Sequence, residues 1–301
     1  MRNQGVAYSI ILFITAAIWG FSFVAQRAGM EFIGPYLFNG IRFTLGSFSL
    51  IPLYIFYRNK NYHQSSAISF NVAVLRKGLL LGLILFIAAS LQQIGMQYTS
   101  AANGGFITSL YVILVPLFSV FFKKKIPYTV WVGAFIAFIG MYFLSIQGEL
   151  ILSWGDTLVL ISAAFWAVHV ILIGKYAPKV SIILLSIIQF GITAILSLLV
   201  ALFIEDIIWE GIKDAAIPIV YGGFISVGIA YTLQIFAQKK VVAEKAAIIL
   251  SFESAFALFG GWLILNEDIS IRSLIGAGLM LAGIIISQIH WKKRNESKYK
   301  T

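Results

Sequence analysis

Residues 182–204 read IILLSIIQFGITAILSLLVALFI, a run of 23 residues without a charged side chain. As a helix this run would rise about 34 Å, enough to cross the roughly 30 Å hydrocarbon core of a bilayer. The whole chain is similar in character, with 60% hydrophobic and 11% charged residues. Soluble domains have about 45–50% apolar and about 25% charged residues. The sequence therefore predicts an all-α membrane protein.

Ten stretches approach the length of about 20 apolar residues that a membrane-spanning helix needs. The first is too long for the apolar core of a signal peptide, and the next follows at once, so it is predicted to be a retained helix. Three glycines interrupt the eighth. The predicted helices are Val6–Ala25, Pro35–Tyr57, Val74–Met96, Asn103–Phe122, Tyr128–Ser145, Thr157–Gly174, Ile182–Ile204, Ala216–Ala237, Ala246–Leu265 and Ile271–His290.

The basic residues predict the orientation of these helices. The net charge is +10, and the lysines and arginines form short clusters between the apolar stretches rather than a nucleic-acid-binding surface. With ten helices both termini lie on one side, whose segments hold 18 basic residues; the other side holds only Arg27, Lys213 and Arg272. Because basic loops stay in the cytoplasm, both termini are predicted to be cytoplasmic. We expect a multi-pass protein of a bacterial inner (plasma) membrane, with no nucleic-acid partner.

Short patterns recur between the two halves of the chain. Ser90, Gln93 and Gln97 share one helical face, and Tyr231, Gln234 and Gln238 repeat their spacing 141 residues later. The other repeated pairs are Ala16–Trp19 with Ala163–Trp166, and Gly133, Ala134 and Gly140 with Gly276, Ala277 and Gly283. The order of the patterns is the same in both halves.

This recurrence predicts a duplication, with helices 1–5 in residues 1–150 and helices 6–10 plus a basic cytoplasmic tail in residues 151–301. Because each half has an odd number of helices, the second enters the membrane from the opposite side. The result is an inverted-topology repeat, a common plan of secondary transporters that have their substrate site near the bilayer midplane.

Several short motifs follow one another along the chain. They are Ala17–Gly20, Tyr98–Asn103, Phe106–Tyr111 with Pro116, Leu250–Glu253, Asn266-Glu267, and Gly276 with Gly283. Taken in order, these motifs resemble the ten-helix EamA branch of the drug/metabolite transporter superfamily. Two places depart from the family pattern, with Ser254 where the family has a proline and Lys123–Lys125 where it has a Gly-Glu pair. The resemblance implies two five-helix inverted repeats, a central cavity, and export or import of metabolites such as amino acids.

Charged and titratable residues at membrane depth are candidate site residues, because a charge there is costly. Glu253, near the middle of helix 9, could bind a cationic group of the substrate or carry a proton between states. Glu244 is expected to be solvated near the end of the same helix. Arg42 could attract a carboxylate, but the sequence favours a structural role, in which the side chain either snorkels to the surface or pairs with backbone carbonyls. His169 could be a proton shuttle, but a lone histidine in a membrane helix is more often an interior hydrogen-bonding residue.

Further candidates are polar amides and aromatic rings. Gln93 and Gln234 could line the cavity and bind substrate, or could hold helices together. Four aromatic residues lie deeper than the interfacial belts in which such rings collect, and could either line a cavity for amino acids or organic cations or simply pack. These four are Trp19, Tyr111, Trp166 and Tyr231.

The favoured function is secondary transport of small metabolites by alternating access through a central midplane cavity. Amino acids or related compounds are the favoured substrates, and export is the favoured direction. An exporter of multiple drugs or organic cations is the alternative. A channel and an intramembrane enzyme are remote alternatives. The internal duplication disfavours a channel, and no set of catalytic residues is visible that would suit an enzyme. The sequence has no nucleotide-binding loop, so ATP is not expected to drive transport directly. No cofactor or metal is expected, although proton coupling is possible. The partners would be a small-molecule substrate and the lipid bilayer, and the protein would be a monomer or homodimer.

Overall fold

The structure, a computed structural model, describes residues 2–60, 71–121, 124–145, 153–266 and 269–288. These residues form ten long helical segments and no strand. The segments are α1 Arg2–Gly29, α2 Pro35–Lys60, α3 Val72–Gly95, α4 Ala101–Phe121, α5 Tyr128–Ser145, α6 Trp154–Tyr176, α7 Ile182–Ile204, α8 Ala216–Ala237, α9 Ala243–Leu265 and α10 Ile271–Gln288.

Seven of these segments are long and apolar enough to cross a membrane by length and composition, namely all except α2, α5 and α10. Both α5 and α10 hold shorter apolar stretches, Tyr128–Phe143 and Ile271–Ser287, and α2 has 26 residues. Large apolar side chains point outward, with Phe203 85% and Ile217 83% exposed. A surface of this kind suits lipid rather than water. The predicted all-α, multi-span membrane fold is confirmed.

The predicted segments coincide with α1–α10 to within four residues, although Phe122 and His290 lie outside the described part of the chain. Polar residues cap the starts of four helices, and three of these helices, α3, α4 and α6, begin two or three residues earlier than hydropathy predicts. Asn71, Ser100, Ser153 and Ser181 each accept a hydrogen bond from the backbone N–H three residues later. Such caps satisfy N–H groups that otherwise have no partner at a helix start.

Helix packing relates the two halves of the chain. Within the described residues, α5 packs on α10 and α2 packs on α7. Helix α3 contacts α6 and α7, and its counterpart α8 contacts α1 and α2 in the same way. Similarly, α4 packs on α6 as α9 packs on α1, and α4 and α9 contact each other. These contacts would remain the same if α1–α5 and α6–α10 were exchanged. The inverted repeat itself stays a prediction.

Glycines permit the closest of these contacts. A Cβ atom at Gly133 would lie 2.6 Å from the carbonyl oxygen of Gly283, and one at Gly140 would lie 2.6 Å from that of Gly276. Small residues of this kind let membrane helices approach until their backbones touch. The recurring glycines of the sequence therefore form the seam between α5 and α10.

The eighth segment is continuous despite its three glycines. It contains Pro218, and its central residues Tyr221–Tyr231 form a wider, π-helical stretch. A Cβ atom at Gly223 would lie 2.7 Å from the Cβ of Leu45, so this glycine allows α2 to pack closely. The wide turns lie beside the central cavity, as is frequent at functional sites.

Candidate functional site

Two helices are interrupted near their middles and meet at the interruptions. In α4 the break lies at Ser109-Leu110, between Ala101–Thr108 and Tyr111–Phe121. In α9 it lies at Ser251-Phe252, between Ala243–Leu250 and Glu253–Leu265. The Ser109 hydroxyl donates a 3.0 Å hydrogen bond to the Ser251 carbonyl oxygen, so the two breaks touch.

At both breaks the backbone tightens to hydrogen bonds between residues three apart. The N–H of Leu110 bonds the carbonyl of Ile107 at 3.2 Å, and that of Phe252 bonds the carbonyl of Ile249 at 3.3 Å. The hydroxyl of Ser254, which stands where the family pattern has proline, donates to the Ser251 carbonyl at 2.9 Å. Interrupted helices at this depth are typical of transporter binding sites.

Glu253 lies at the break of α9 and is bound by the break of α4. The Tyr111 hydroxyl donates a 2.9 Å hydrogen bond to Glu253 Oε1, and the Ser109 hydroxyl lies 3.5 Å from the same atom. Only 3% of Glu253 is exposed. It is also the first residue of the half-helix Glu253–Leu265. The carboxyl group is thus positioned at the break of α9 by two hydroxyls of α4.

A small cavity lies beside Glu253 and brings together seven of the nine candidate residues. The two that do not line it are Gln93 and His169. The candidates that line it are Trp19, Arg42, Tyr111, Trp166, Tyr231, Gln234 and Glu253, and they are joined by Ser22, Phe23, Gln26, Gln92, Thr108, Val170 and Ser226. Whether these residues bind substrate stays a prediction.

Tyr231 is the centre of the aromatic wall of this cavity. Its ring centroid lies 4.6 Å from that of Trp19 and 6.1 Å from that of Trp166, with which it is stacked. Phe43 and Phe190 pack behind it at 6.2 and 5.7 Å. Aromatic faces of this kind can accept either an apolar side chain or an organic cation.

The cavity is contracted in this conformation. Its volume is about 30 Å³, which is enough for about two water molecules. An organic metabolite therefore needs the surrounding helices to move apart before it can bind.

Arg42 faces this cavity and does not reach the surface, since only 3% of it is exposed. Its Nε donates a 2.9 Å hydrogen bond to Asn39 Oδ1, and the Asn39 amide in turn donates to the Ala89 carbonyl at 3.1 Å. The guanidinium lies 5.5 and 5.1 Å from the ring centroids of Phe38 and Phe43. Of the two structural roles that the sequence left open, snorkelling does not occur, because α2 places this residue deep within the protein, and the acceptor of Nε is a side chain rather than a backbone carbonyl. Whether Arg42 binds substrate stays a prediction.

Gln93 and His169 lie behind the cavity wall. Gln93 is completely buried and donates a 3.3 Å hydrogen bond to the Gln26 carbonyl. His169 is also completely buried, with Nε2 3.0 Å from Gln189 Oε1. The imidazole packs edge-on against Trp166 and Tyr231, with centroids 5.9 and 6.3 Å apart. Both contacts are those of residues that join helices.

The sequence missed Gln92, which lines the cavity next to Gln93 in the chain. Gln92 Oε1 accepts a 2.6 Å hydrogen bond from Trp166 Nε1, and its amide donates to Gln26 Oε1 at 2.9 Å. The chain of bonds continues from Gln26 to Ser22 at 3.4 Å and from Ser22 to Ser226 at 3.0 Å. The repeat selected Gln93, but consecutive residues face about 100° apart on a helix.

Beyond this polar layer lies a second, wider cavity at the end where α1 finishes and α6 begins. Its free volume is about 640 Å³, and it contains Arg27, Glu31 and Asp156. The Thr99 hydroxyl donates a 2.6 Å hydrogen bond to Asp156 Oδ1 at its edge. The charge pattern predicts that this end is the outer one. We call this cavity the outer vestibule.

An ion pair lies at the opposite end of the helices. Lys124 Nζ lies 3.2 Å from Glu244 Oε1, joining the segment after α4 to the start of α9. The prediction that Glu244 is solvated is wrong, since only 4% of the residue is exposed. It is buried at the start of α9, where α9 packs on α4, and its carboxylate is paired with Lys124. Lys123 and Glu267 lie outside the described residues.

The fold and this cavity define a polytopic helical membrane protein with a buried polar site between interrupted helices, a plan typical of secondary transporters. The model of the EamA-like transporter family matches residues 7–146 and again 153–288. The chain therefore belongs to the EamA-like transporter family, as its motifs predicted.

Proteins with similar sequences are also named transporters. An uncharacterized transporter of Archaeoglobus fulgidus is 29% identical, covering 91% of this chain and 83% of the relative. The uncharacterized transporter YoaV of Bacillus subtilis is 25% identical, covering 92% and 95% of the two chains. The uncharacterized inner membrane transporter YedA of Escherichia coli K12 is 26% identical, covering 93% and 84%.

A crystal structure with 19% sequence identity matches with a TM-score of 0.71, covering 94% of this chain and 96% of the other. At this identity the match supports the fold alone. The family and the names of the relatives indicate a membrane transporter of small molecules rather than an enzyme.

Proposed function

We propose that this protein is a secondary transporter of small metabolites, with amino acids or related compounds as the favoured substrates and export as the favoured direction. The observation that carries the proposal is Glu253, a carboxyl group held at the meeting point of two interrupted helices and facing an aromatic cavity. A carboxylate at that position can bind the amino group of a substrate, and the rings beside it can contact the remainder.

Alternating access is supported by the different closures at the two ends of the cavity. On the side of the outer vestibule the closure includes the hydrogen-bonded side chains Ser22, Gln26 and Gln92. On the other side the ion pair between Lys124 and Glu244 joins α9 to the segment after α4. Separating either closure alone would open the cavity to one side. The helix contacts that survive an exchange of halves support the same proposal, since equivalent halves can open in two equivalent ways.

An exporter of organic cations is the second candidate, because Glu253 and the rings of Trp19 and Tyr231 would also suit a cation without a carboxylate. Proton coupling belongs to the proposal as well, with Glu253 as the group that exchanges a proton for a substrate cation. We further propose that the protein resides in a bacterial inner membrane with both termini in the cytoplasm, as a monomer or homodimer.

The test is transport by purified protein in liposomes. Vesicles preloaded with a mixture of unlabelled amino acids are diluted into single labelled amino acids or labelled organic cations, and uptake by exchange is recorded. We expect exchange of at least one labelled amino acid, and its near loss in Glu253→Gln. The variant keeps the size of the side chain and an acceptor for Tyr111, so folding should survive. Unchanged exchange in Glu253→Gln would refute the role given to this residue.

Direction and coupling are tested in the same vesicles. An imposed pH gradient should drive net movement in the wild-type protein, and this response should disappear in Glu253→Gln. A matched control is Glu205→Gln, because Glu205 accepts hydrogen bonds from the N–H groups of Tyr36 and Leu37 at 2.8 Å, far from the cavity. This control should keep the response to the gradient. Wild-type exchange that ignores the gradient would refute proton coupling.

A further inference from the structure

Arg42 is a buried cation without a counter-ion among the described residues. The single ion pair there is the one between Lys124 and Glu244. A guanidinium has five N–H donors, and in the described part of the chain only Nε–H of Arg42 has a protein acceptor, the Asn39 side chain. The terminal nitrogens therefore remain available at the cavity that Arg42 lines.

The guanidinium is held in place rather than merely tolerated. Asn39 binds its Nε and is itself fixed by a 3.1 Å hydrogen bond to the Ala89 carbonyl of α3. Phe38 and Phe43 lie within cation–π distance of the charge. A buried charge costs free energy that an apolar residue at this position would not cost. An arginine that is positioned in this way, with its outer nitrogens unbonded, is suited to bind a planar carboxylate.

The opposite charge lies elsewhere on the same cavity. Glu253 and Arg42 form no ion pair with each other. Tyr231 lines this cavity together with both of them, and its ring stacks on that of Trp166. The cavity therefore presents an anion-binding end, an aromatic wall and a cation-binding end.

We propose that Arg42 is a specificity-determining residue that binds the carboxylate of a zwitterionic substrate whose amino group binds at Glu253. This inference rests on the proposed function and names the feature of the substrate that this end of the site requires. A substrate with only a positive charge would be repelled by Arg42, whereas a zwitterion satisfies both charges at once. The arrangement thus favours amino acids over organic cations.

The test compares matched ligands that differ only in the carboxylate. The pairs are leucine and isoamylamine, phenylalanine and phenethylamine, and tryptophan and tryptamine, each measured by equilibrium binding to the purified full-length protein. For at least one pair we expect the amino acid to bind about tenfold or more tightly than the amine, as a charge-assisted bidentate contact would give. In Arg42→Gln the amino acid should bind no better than the amine, while the affinity for the amine is unchanged or improved.

Arg272→Gln is the matched control. The Arg272 guanidinium also lies over two rings, 5.4 Å from Tyr142 and 5.3 Å from Phe143, but it does not line the cavity. This variant should retain the preference for the amino acid. If Arg42→Gln does not fold, Arg42→Lys decides the question, because it keeps the charge but cannot form two parallel hydrogen bonds. Its preference for the amino acid should fall several-fold.

Four results would overturn the inference, and they separate it from the proposed function. A preference that persists in the Arg42 variants, or a wild-type protein that binds amine and amino acid equally, refutes the carboxylate site but leaves transport intact. An equal loss of both ligands in the Arg42 variants shows that the residue only supports the fold. Binding of none of the six ligands by the wild-type protein refutes the proposed function itself, and this inference with it.

Discussion

The hydrogen bond between Tyr111 and Glu253 gives a prediction about the charge of the central carboxyl group. Tyr111→Phe removes the 2.9 Å bond and changes little else, because the ring remains. A bond to an ionised group is worth about 1.5–3 kcal/mol and one between neutral groups about 0.5–1.5 kcal/mol. If Glu253 is ionised, Tyr111→Phe should therefore lower the free energy of unfolding by about 1.5–3 kcal/mol in the wild-type background.

The same change in a Glu253→Gln background removes a bond to a neutral acceptor. It should cost only about 0.5–1.5 kcal/mol, so the double-mutant cycle should give a coupling of about 1 kcal/mol or more. The measurement is reversible unfolding of the purified protein in mixed micelles. The matched control is Tyr221→Phe, which removes a 2.8 Å bond from a tyrosine hydroxyl to the neutral Ile18 carbonyl. This control should cost the same in both backgrounds.

A coupling that is zero within about 0.3 kcal/mol at every pH at which the protein is folded would refute the reasoning, because the hydrogen bond would then be insensitive to the charge of the acceptor. Repeating the cycle over a range of pH separates two states of Glu253. A coupling that appears only at higher pH identifies a carboxyl group that is protonated at lower pH. A group of this kind would be able to carry a proton during transport.

Three further predictions concern packing and closure. Gly133→Ala places a methyl group 2.6 Å from a carbonyl oxygen of α10 and should destabilise the protein by about 1–3 kcal/mol. Gly278→Ala should be neutral or stabilising, because a Cβ atom there would have no atom within 4 Å. Thermal unfolding of both variants checks this. Glu244→Gln should increase the labelling of a cysteine introduced in the central cavity by a reagent added from the cytoplasmic side, and equal labelling would contradict the closure at Lys124. Gln92→Leu should increase labelling from the outer side, because it removes two hydrogen bonds of the polar layer; unchanged labelling there would contradict the outer closure.

The sequence by itself determined the membrane fold, since runs such as 182–204 have no alternative to lipid as their surroundings. Local chemistry also determined the positions of most helix ends, although the capping serines, for example Ser153, were overlooked because they precede the apolar runs. The family was equally accessible, because its motifs are local in the chain. Glu253 was identifiable from depth alone, since a carboxyl group in the middle of an apolar run is expensive.

The breaks in α4 and α9 left a signal that was overlooked. Ser109 and Ser251 are 142 residues apart, close to the offset of 141 found for the glutamines, and each precedes by two residues a polar contributor to the site, Tyr111 or Glu253. Both serines lie in family motifs, but serine is common in membrane helices, so neither residue alone predicts a break. Their contact became visible only when the two helices crossed.

Only the tertiary structure decided which polar residues share one cavity. Gln92 faces the cavity and Gln93 does not, because the rotation of α3 about its axis is set by its packing on α6 and α7 and not by its own apolar pattern. The sequence left open whether Arg42 reaches the surface or stays inside, and the helices around α2 enclose it. The hydropathy of a segment depends on the transfer of each of its residues into lipid, and it can be read from the segment alone. The rotation of a helix about its axis depends instead on the helices that pack around it, and these come from both halves of the chain.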